Sequence, residues 1–142
     1  GKVLLVQRSS WDGRAVAPGS VFLLDSIGEL SSVYGLATLA FVGGSLVPAG
    51  GHNPLEPAQW AVPVVMGPHY ENFRDAVELL RGADALRVIE RSDVSATIAS
   101  LLSDSTMAAA MGARGKTAFE ERAGATQRAV DAIVHLLAEG DA

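Results

Sequence analysis

The chain contains Phe41-Val42-Gly43-Gly44-Ser45 and, four residues later, Gly50-Gly51-His52-Asn53-Pro54-Leu55-Glu56-Pro57. This pattern predicts a strand, a glycine-rich loop and a helix in which Asn53 is the N-cap and Pro54 the first residue. Glycine allows a positive φ and a close approach of the backbone to a ligand. A helix start at the end of a parallel strand presents unpaired N–H groups to an anion. The stretch therefore indicates a phosphate or nucleotide site.

The same stretch also has an interpretation that needs no ligand. Asn53 and Glu56 have the spacing of a capping box, in which the glutamate carboxylate binds the N–H of the N-cap residue. Glycine-rich turns before helices are common in many folds, so spacing alone is a weak signal. From these residues, both interpretations stay open.

Short apolar runs separated by helical patterns decide the fold class. Five runs predict strands: Val3–Val6, Val21–Leu24, Leu39–Val42, Val62–Met66 and Ala85–Ile89. Strands that alternate with helices predict βαβ units with right-handed crossovers. The expected fold is therefore α/β, with a Rossmann-like parallel sheet flanked by helices.

Helices are predicted between and after these strands. The segments are Ser26 to about Leu36, Asn72 to Gly82, Asp93–Leu102 and Thr106–Phe119. The first two begin with the spacing of a capping box. A last helix is expected after Gly124, because apolar residues recur there with helical spacing, at Val130, Ile133, Val134 and Leu137. We expect this apolar stripe to pack on the sheet.

Length, composition and charge limit the function classes. A chain of 142 residues with 49% hydrophobic and 19% charged residues fits one folded domain, residues 1–142, and its start at Gly1 suggests a part of a longer protein. The net charge of −5, with interspersed signs, argues against nucleic-acid binding. No apolar run approaches the roughly 20 residues of a membrane span. Cysteine is absent and no histidine or carboxylate set has ligand spacing, so neither a metal nor a cofactor is expected.

The predicted helix starts supply the candidate binding groups. Backbone amides at Gly28 and near Pro54 and Leu55 are placed to bind phosphate oxygens. Glu29 or Glu56 offers two acceptor oxygens to the vicinal hydroxyls of a ribose. For Glu29 a capping role is the stronger alternative, because Ser26 precedes it with capping-box spacing.

Several motifs, in order and at matching spacing, resemble one glycosyltransferase family. They are Asp25–Leu30, Tyr34-Gly35, Ala40–Leu46, Gly50–Pro57, Gly67-Pro68-His69 and Asn72–Asp75. With them the chain resembles the C-terminal half of the 3-deoxy-D-manno-octulosonic acid (Kdo) transferases. The resemblance implies a GT-B glycosyltransferase, of which this chain is the C-terminal, donor-binding half.

The resemblance also implies roles for individual residues. Contacts with the CMP part of a CMP-Kdo donor are implied for Ile27, Gly28, Glu29, Asn53, Pro54, Leu55 and Glu56. Gly44, Ser45 and Gly51 are implied to shape the loop. No catalytic residue is expected in this chain, because the family's catalytic carboxylate, acceptor surface and membrane anchor belong to an N-terminal domain that the chain lacks.

The implied activity is the transfer of Kdo from CMP-Kdo to the lipid A precursor in lipopolysaccharide synthesis, without a metal, on the cytoplasmic face of the bacterial inner membrane. The fragment alone is expected to be soluble and inactive. Two alternatives stay open: the donor domain of another GT-B enzyme that uses a UDP-sugar, and a non-catalytic nucleotide-binding module. The absence of further acidic motifs favours the Kdo transferase over the UDP-sugar enzyme.

Overall fold

The structure is a computed structural model that describes residues 3–140. The chain divides between Val33 and Tyr34 into two compact units, which are described separately. The first unit contains strands β1 (Leu5–Gln7) and β2 (Val21–Leu23) and the one-turn helix α1 (Leu30–Val33). The strands are parallel, with Val6 paired to Phe22. Among residues 3–33 none is buried, so this small sheet has no core of its own.

The second unit is built on a three-stranded parallel sheet in the order β3 (Ala40–Val42), β4 (Val64–Met66) and β5 (Leu86–Val88). Val64 pairs with Ala40 on one side and with Leu86 on the other. All three residues of β4 have no exposed surface. A continuous apolar run is what a strand covered on both faces requires, since its alternate side chains both enter a core.

Four helices cover the two faces of this sheet: α2 (Leu55–Ala58), α3 (Arg74–Gly82), α4 (Val94–Ser103) and α5 (Ser105–Gly140). One core contains Val64 and Met66 together with side chains of α2, α3 and α5. The other contains Val65 with Leu101 of α4 and Met111 of α5. Helix α5 therefore contributes to both cores.

Helix α5 packs very closely on the turn that follows α2. A Cβ added at Gly112 would lie 1.9 Å from the carbonyl oxygen of Ala61, which has a φ of 58°. Only glycine permits this approach of helix and backbone. The contact fixes the position of α5 on the turn that leads into β4.

The sequence-based fold class is confirmed, because each of the five predicted runs contains or overlaps a strand and all pairings are parallel. The end of α3 at Gly82 is confirmed as well. The strands form two parallel sheets, one in each unit. The expectation of a single domain stays a prediction.

Two predictions about the C-terminal part are wrong. The expected break at Gly124 is absent, because α5 runs through it without interruption. A helix tolerates interior glycines, at a cost of about 1 kcal/mol each, when good helix formers surround them. The stripe of Val130, Ile133, Val134 and Leu137 does not pack on the sheet, since 48–68% of the surface of each residue is exposed.

Candidate nucleotide site

The predicted cap at Asn53 is present. Its side-chain oxygen accepts a hydrogen bond from the Leu55 N–H at 3.1 Å, and Pro54 already has nearly helical angles, with φ −78° and ψ −11°. The hydrogen-bonded helix that follows, α2, is only one turn long. Few peptide dipoles are therefore aligned, and individual N–H groups matter more for anion binding than a helix macrodipole does.

Glu56 does not complete a capping box. Among the described residues 3–140, no hydrogen bond joins its carboxylate to the Asn53 N–H. Its negative charge acts on Tyr34 instead. Burial raises the pKa of the Tyr34 phenol, and the Glu56 carboxylate raises it further to a lesser degree. The ligand-free interpretation of Glu56 therefore loses its main support, and the half-buried carboxylate keeps its acceptor oxygens.

The glycine-rich loop turns through left-handed backbone angles. The φ values of Gly44, Gly50 and Gly51 are 68°, 81° and 71°. The Gly51 N–H donates to the Gly44 carbonyl at 3.1 Å, and a Cβ at Gly51 would lie 2.9 Å from the His69 carbonyl oxygen. Residues other than glycine rarely adopt such backbone angles, so the loop depends on these three glycines.

Ser45 is the buried polar residue that connects this loop with the end of β4. Its hydroxyl donates to the Val42 carbonyl at 2.6 Å and accepts from the Gly67 N–H at 2.8 Å. The Ser45 carbonyl accepts a further bond from the His69 N–H at 3.0 Å. One serine thus ties together the carboxyl ends of two neighbouring parallel strands, where ligands bind in open α/β sheets.

Asn72 has a different role from the predicted cap of α3. It lies in a turn of 3-10 helix, Glu71–Phe73, and its side chain makes no capping bond to the helix that starts at Arg74. Its N–H donates to the Gly50 carbonyl at 3.2 Å, and its amide occupies the space where a Cβ of Gly50 would lie. Asn72 therefore supports the glycine-rich loop, a role that helix-start patterns do not reveal.

A cleft of about 450 Å³ opens beside the Asn53 cap. Asn53, Leu55 and Asn72 line it together with Arg74 and Arg122. Glu71 also lines this cleft, and its carboxylate binds Nδ1 of His69 at 3.4 Å. The cleft therefore combines apolar side chains such as Phe73 with charges of both signs.

The second predicted cluster, Ile27-Gly28-Glu29, lies in the first unit, and its local structure differs from the prediction. Gly28 has a φ of 89°, which a right-handed helix cannot include, so α1 starts only at Leu30. The Glu29 carbonyl accepts the N–H groups of Ser32 and Val33. The Ile27 side chain is fully exposed. The predicted helix start at Ser26 is therefore wrong.

Among residues 3–33, the Glu29 carboxylate has two side-chain partners. Arg8 donates to one oxygen from Nη2 at 2.9 Å and from Nε at 3.2 Å, and the Ser26 hydroxyl donates to the other. These bonds, first that of Ser26 and then that of Arg8, hold the pKa of Glu29 below its usual value. The sequence prediction missed Arg8, although a basic residue directly after a parallel strand is a signal for the ligand-binding edge.

Among the described residues, no group of three or more histidine and carboxylate side chains is placed to hold a metal ion. Within the same residues, each helix is too short or too polar to cross a membrane.

The chain is similar to known proteins along most of its length. It is 39% identical over 115 residues to the 3-deoxy-D-manno-octulosonic acid transferase of Haemophilus influenzae and 33% identical over 128 residues to that of Bordetella pertussis. These matches cover 80% and 89% of this chain, but only 27% and 30% of the relatives. The chain thus spans less than a third of their length. No protein-family model matches it.

A solved structure adds the comparison of folds. The C-terminal CMP-Kdo binding domain of WaaA from Acinetobacter baumannii matches with a TM-score of 0.72 and 33% identity, over 82% of this chain and 61% of that one. The fold and these similarities define an α/β domain with the fold of the C-terminal half of GT-B glycosyltransferases. In both sequence and fold the chain is similar to the C-terminal part of the 3-deoxy-D-manno-octulosonic acid transferases.

Proposed function

We propose that this chain binds CMP-Kdo and serves as the donor domain of an enzyme that transfers Kdo to the lipid A precursor. The observation that carries the proposal is the similarity, in both fold and sequence, to a domain that binds CMP-Kdo. Because the chain spans 27–30% of its relatives, we expect the acceptor site and the catalytic base in the part of the protein that it does not cover. The expected location is the cytoplasmic face of the inner membrane.

The second unit supplies one set of donor contacts in this proposal. Pro54 has no N–H and the Leu55 N–H donates to the Asn53 side chain, so the N–H groups of Asn53 and Glu56 are the ones proposed to bind phosphate oxygens. The Glu56 carboxylate accepts hydrogen bonds from ribose hydroxyls. The half-buried position of Glu56 and its lack of a capping bond support this role. The glycine-rich loop, with Gly44, Ser45 and Gly51, keeps this turn in place.

The first unit supplies the other set, Ile27, Gly28 and Glu29. The left-handed Gly28 carries no Cβ, and no atom of another described residue, apart from its chain neighbours, lies within 4 Å of the position such an atom would occupy, so the backbone here is open to a ligand. Backbone N–H groups in a fixed loop stabilise charge on a departing phosphate without reorganisation. The proposed chemistry therefore requires no metal from this chain.

Nucleotide titration followed by backbone amide shifts tests the proposal. CMP should bind with a Kd in the millimolar range, about 4 kcal/mol, and should shift amides at Ile27–Glu29 and Asn53–Glu56. UMP and UDP should bind more weakly. Tighter binding of UDP would favour another GT-B donor domain, and no binding of any nucleotide would contradict the proposal.

A transfer assay with CMP-Kdo and a lipid acceptor separates binding from catalysis. We expect no turnover with this chain alone, because transfer requires the donor and the acceptor hydroxyl in one site with a base. The full-length enzyme is the positive control. Turnover by the fragment would show that the catalytic groups lie within residues 1–142.

A further inference from the structure

Two segments of the first unit are joined by a compact set of side-chain bonds. The turn of 3-10 helix after β1, Arg8–Ser10, contacts the segment between β2 and α1. Arg8 binds Glu29, and Ser9 binds Asp25 through its N–H at 2.9 Å and its hydroxyl at 2.6 Å. Adjacent residues of one segment therefore hold two carboxylates of the other.

The Arg8 guanidinium is itself held in place. It lies over the ring of Trp11, 5.9 Å from the centroid, and that ring meets Phe22 of β2 edge to face at 5.5 Å. The indole N–H of Trp11 donates to the Arg14 carbonyl at 2.8 Å. A cation above an aromatic ring is attracted to its face, so Trp11 supports the orientation that brings Arg8 to Glu29.

The bonds leave Glu29 with limited capacity for a ligand. An ionised carboxylate has about four acceptor positions. Two are used by the Nη2 and Nε groups of Arg8, both on Oε1, and one on Oε2 is used by the Ser26 hydroxyl. One position on Oε2 remains, which suits a single hydroxyl group.

We propose that Arg8 is a positioning residue, which holds the Glu29 carboxylate so that its remaining acceptor meets one hydroxyl of the donor ribose. This inference rests on the proposed function, because it assumes that Glu29 contacts CMP. A glutamate whose rotamer is fixed before binding loses less conformational freedom when the nucleotide arrives. Arg8 also keeps the carboxylate charged, since it contributes to the lowered pKa of Glu29.

A double-mutant cycle with CMP tests the inference on the full 142-residue chain. Arg8→Gln should weaken CMP binding roughly threefold to tenfold, because the Glu29 side chain would then lose its rotamer freedom only when CMP binds. In a Glu29→Gln background the same change should alter the affinity less than about twofold, because the group that Arg8 positions is gone. Arg14→Gln is the control, since the Arg14 side chain pairs, among the described residues, with exposed Asp12 and is itself 88% exposed.

A second readout needs no nucleotide. Side-chain carboxyl shifts in a pH titration should show a higher Glu29 pKa in Arg8→Gln than in the parent, and no change in Arg14→Gln. If Arg8→Gln does not fold, Arg8→Lys serves in its place, because lysine keeps the charge but lacks the two-donor fork.

Four outcomes would overturn the inference. An equal loss of CMP affinity in both backgrounds would mean that Arg8 acts independently of Glu29. A raised Glu29 pKa with unchanged CMP affinity would mean that the ion pair is structural only. If CMP binds but leaves Ile27–Glu29 unaffected, the inference fails while nucleotide binding stands. If CMP does not bind the parent at all, the proposed function fails with it, and the pKa measurement still reports the ion pair.

Discussion

The Ser45 hydroxyl accepts a hydrogen bond from the Gly67 N–H at 2.8 Å, and this bond joins the ends of two parallel strands below the glycine-rich loop. Both residues are buried, so water cannot replace either partner of this bond. A buried donor that loses its partner costs more free energy than the bond contributes when it is present. The pair is therefore a sensitive point of the second unit.

Ser45→Ala should lower the free energy of unfolding by about 1–3 kcal/mol, because the Gly67 N–H and the Val42 carbonyl lose a partner that water cannot replace. Urea unfolding at constant pH measures the change. Ser103→Ala is the matched control, since that hydroxyl is exposed and donates to the Ser100 carbonyl only. Equal effects of both substitutions would show that burial of Ser45 is not what matters.

Two glycines of α5 should respond in opposite directions. Gly112→Ala should destabilise the fold by about 3 kcal/mol or more, because the new Cβ would meet the Ala61 carbonyl oxygen at 1.9 Å. Gly124→Ala should stabilise it by about 0.5–1 kcal/mol, since its nearest neighbour is the flexible end of Arg128 at 3.3 Å. Thermal unfolding of both variants checks the pair. A stable Gly112→Ala variant would contradict the close contact of α5 with the turn.

Glu56 is the residue at which stability and binding can be separated. Because no capping bond is present, both Glu56→Gln and Glu56→Ala should change the free energy of unfolding by less than about 0.5 kcal/mol. CMP affinity should fall by about 1.5–3 kcal/mol, the usual worth of a hydrogen bond to a charged group. The control is Glu120→Gln, which removes only an exposed carboxylate near Lys116. A loss of stability in Glu56→Ala with unchanged CMP affinity would restore the capping role.

Asp84 should make stability depend on acid pH. The bond from Arg87, together with the charges of Arg87 and Arg114, holds its pKa below the usual 3.8. A carboxylate with a lowered folded pKa stabilises the fold at pH above the unfolded value, and this contribution is lost as the pH falls through the folded value. Asp84→Asn should therefore reduce stability at neutral pH and match the parent at strongly acid pH.

The choice of asparagine matters in this experiment, because residue 84 has a φ of 52° and asparagine tolerates left-handed angles better than most side chains. Urea unfolding at a series of pH values compares the two proteins. A constant difference between parent and variant at all pH values would show that the charge of Asp84 is not involved.

Local sequence features, such as apolar runs and helix caps, predicted most of the fold. Apolar runs such as Val62–Met66 indicate buried strands, because they are short, rich in β-branched residues and followed by glycine and proline. The cap at Asn53 was also predictable from local sequence, because its partner Leu55 lies only two residues away. At Gly28 the prediction failed, because spacing alone does not show whether a glycine adopts a left-handed angle before a helix.

The contacts between distant residues were not predictable in this way. Arg8 and Glu29 are 21 residues apart, and Ser45 and Gly67 are 22 residues apart. The exposure of Val130 and Ile133 was also missed, because helical spacing shows that an apolar face exists and not what lies against it. Tertiary placement decides these features, and a single sequence does not report it.

The uneven support of α5 has a consequence for its dynamics. Over its first half the helix is anchored by Ala108, Met111 and Ala118, whereas residues 125–137 are all exposed. The opening of a helix turn that no other element contacts is governed by the helix–coil equilibrium, and an isolated segment of this length is only marginally helical in water. Amide hydrogens should therefore exchange with solvent in a gradient along one continuous helix, slowly near Met111 and within a small multiple of the unprotected rate near Leu136.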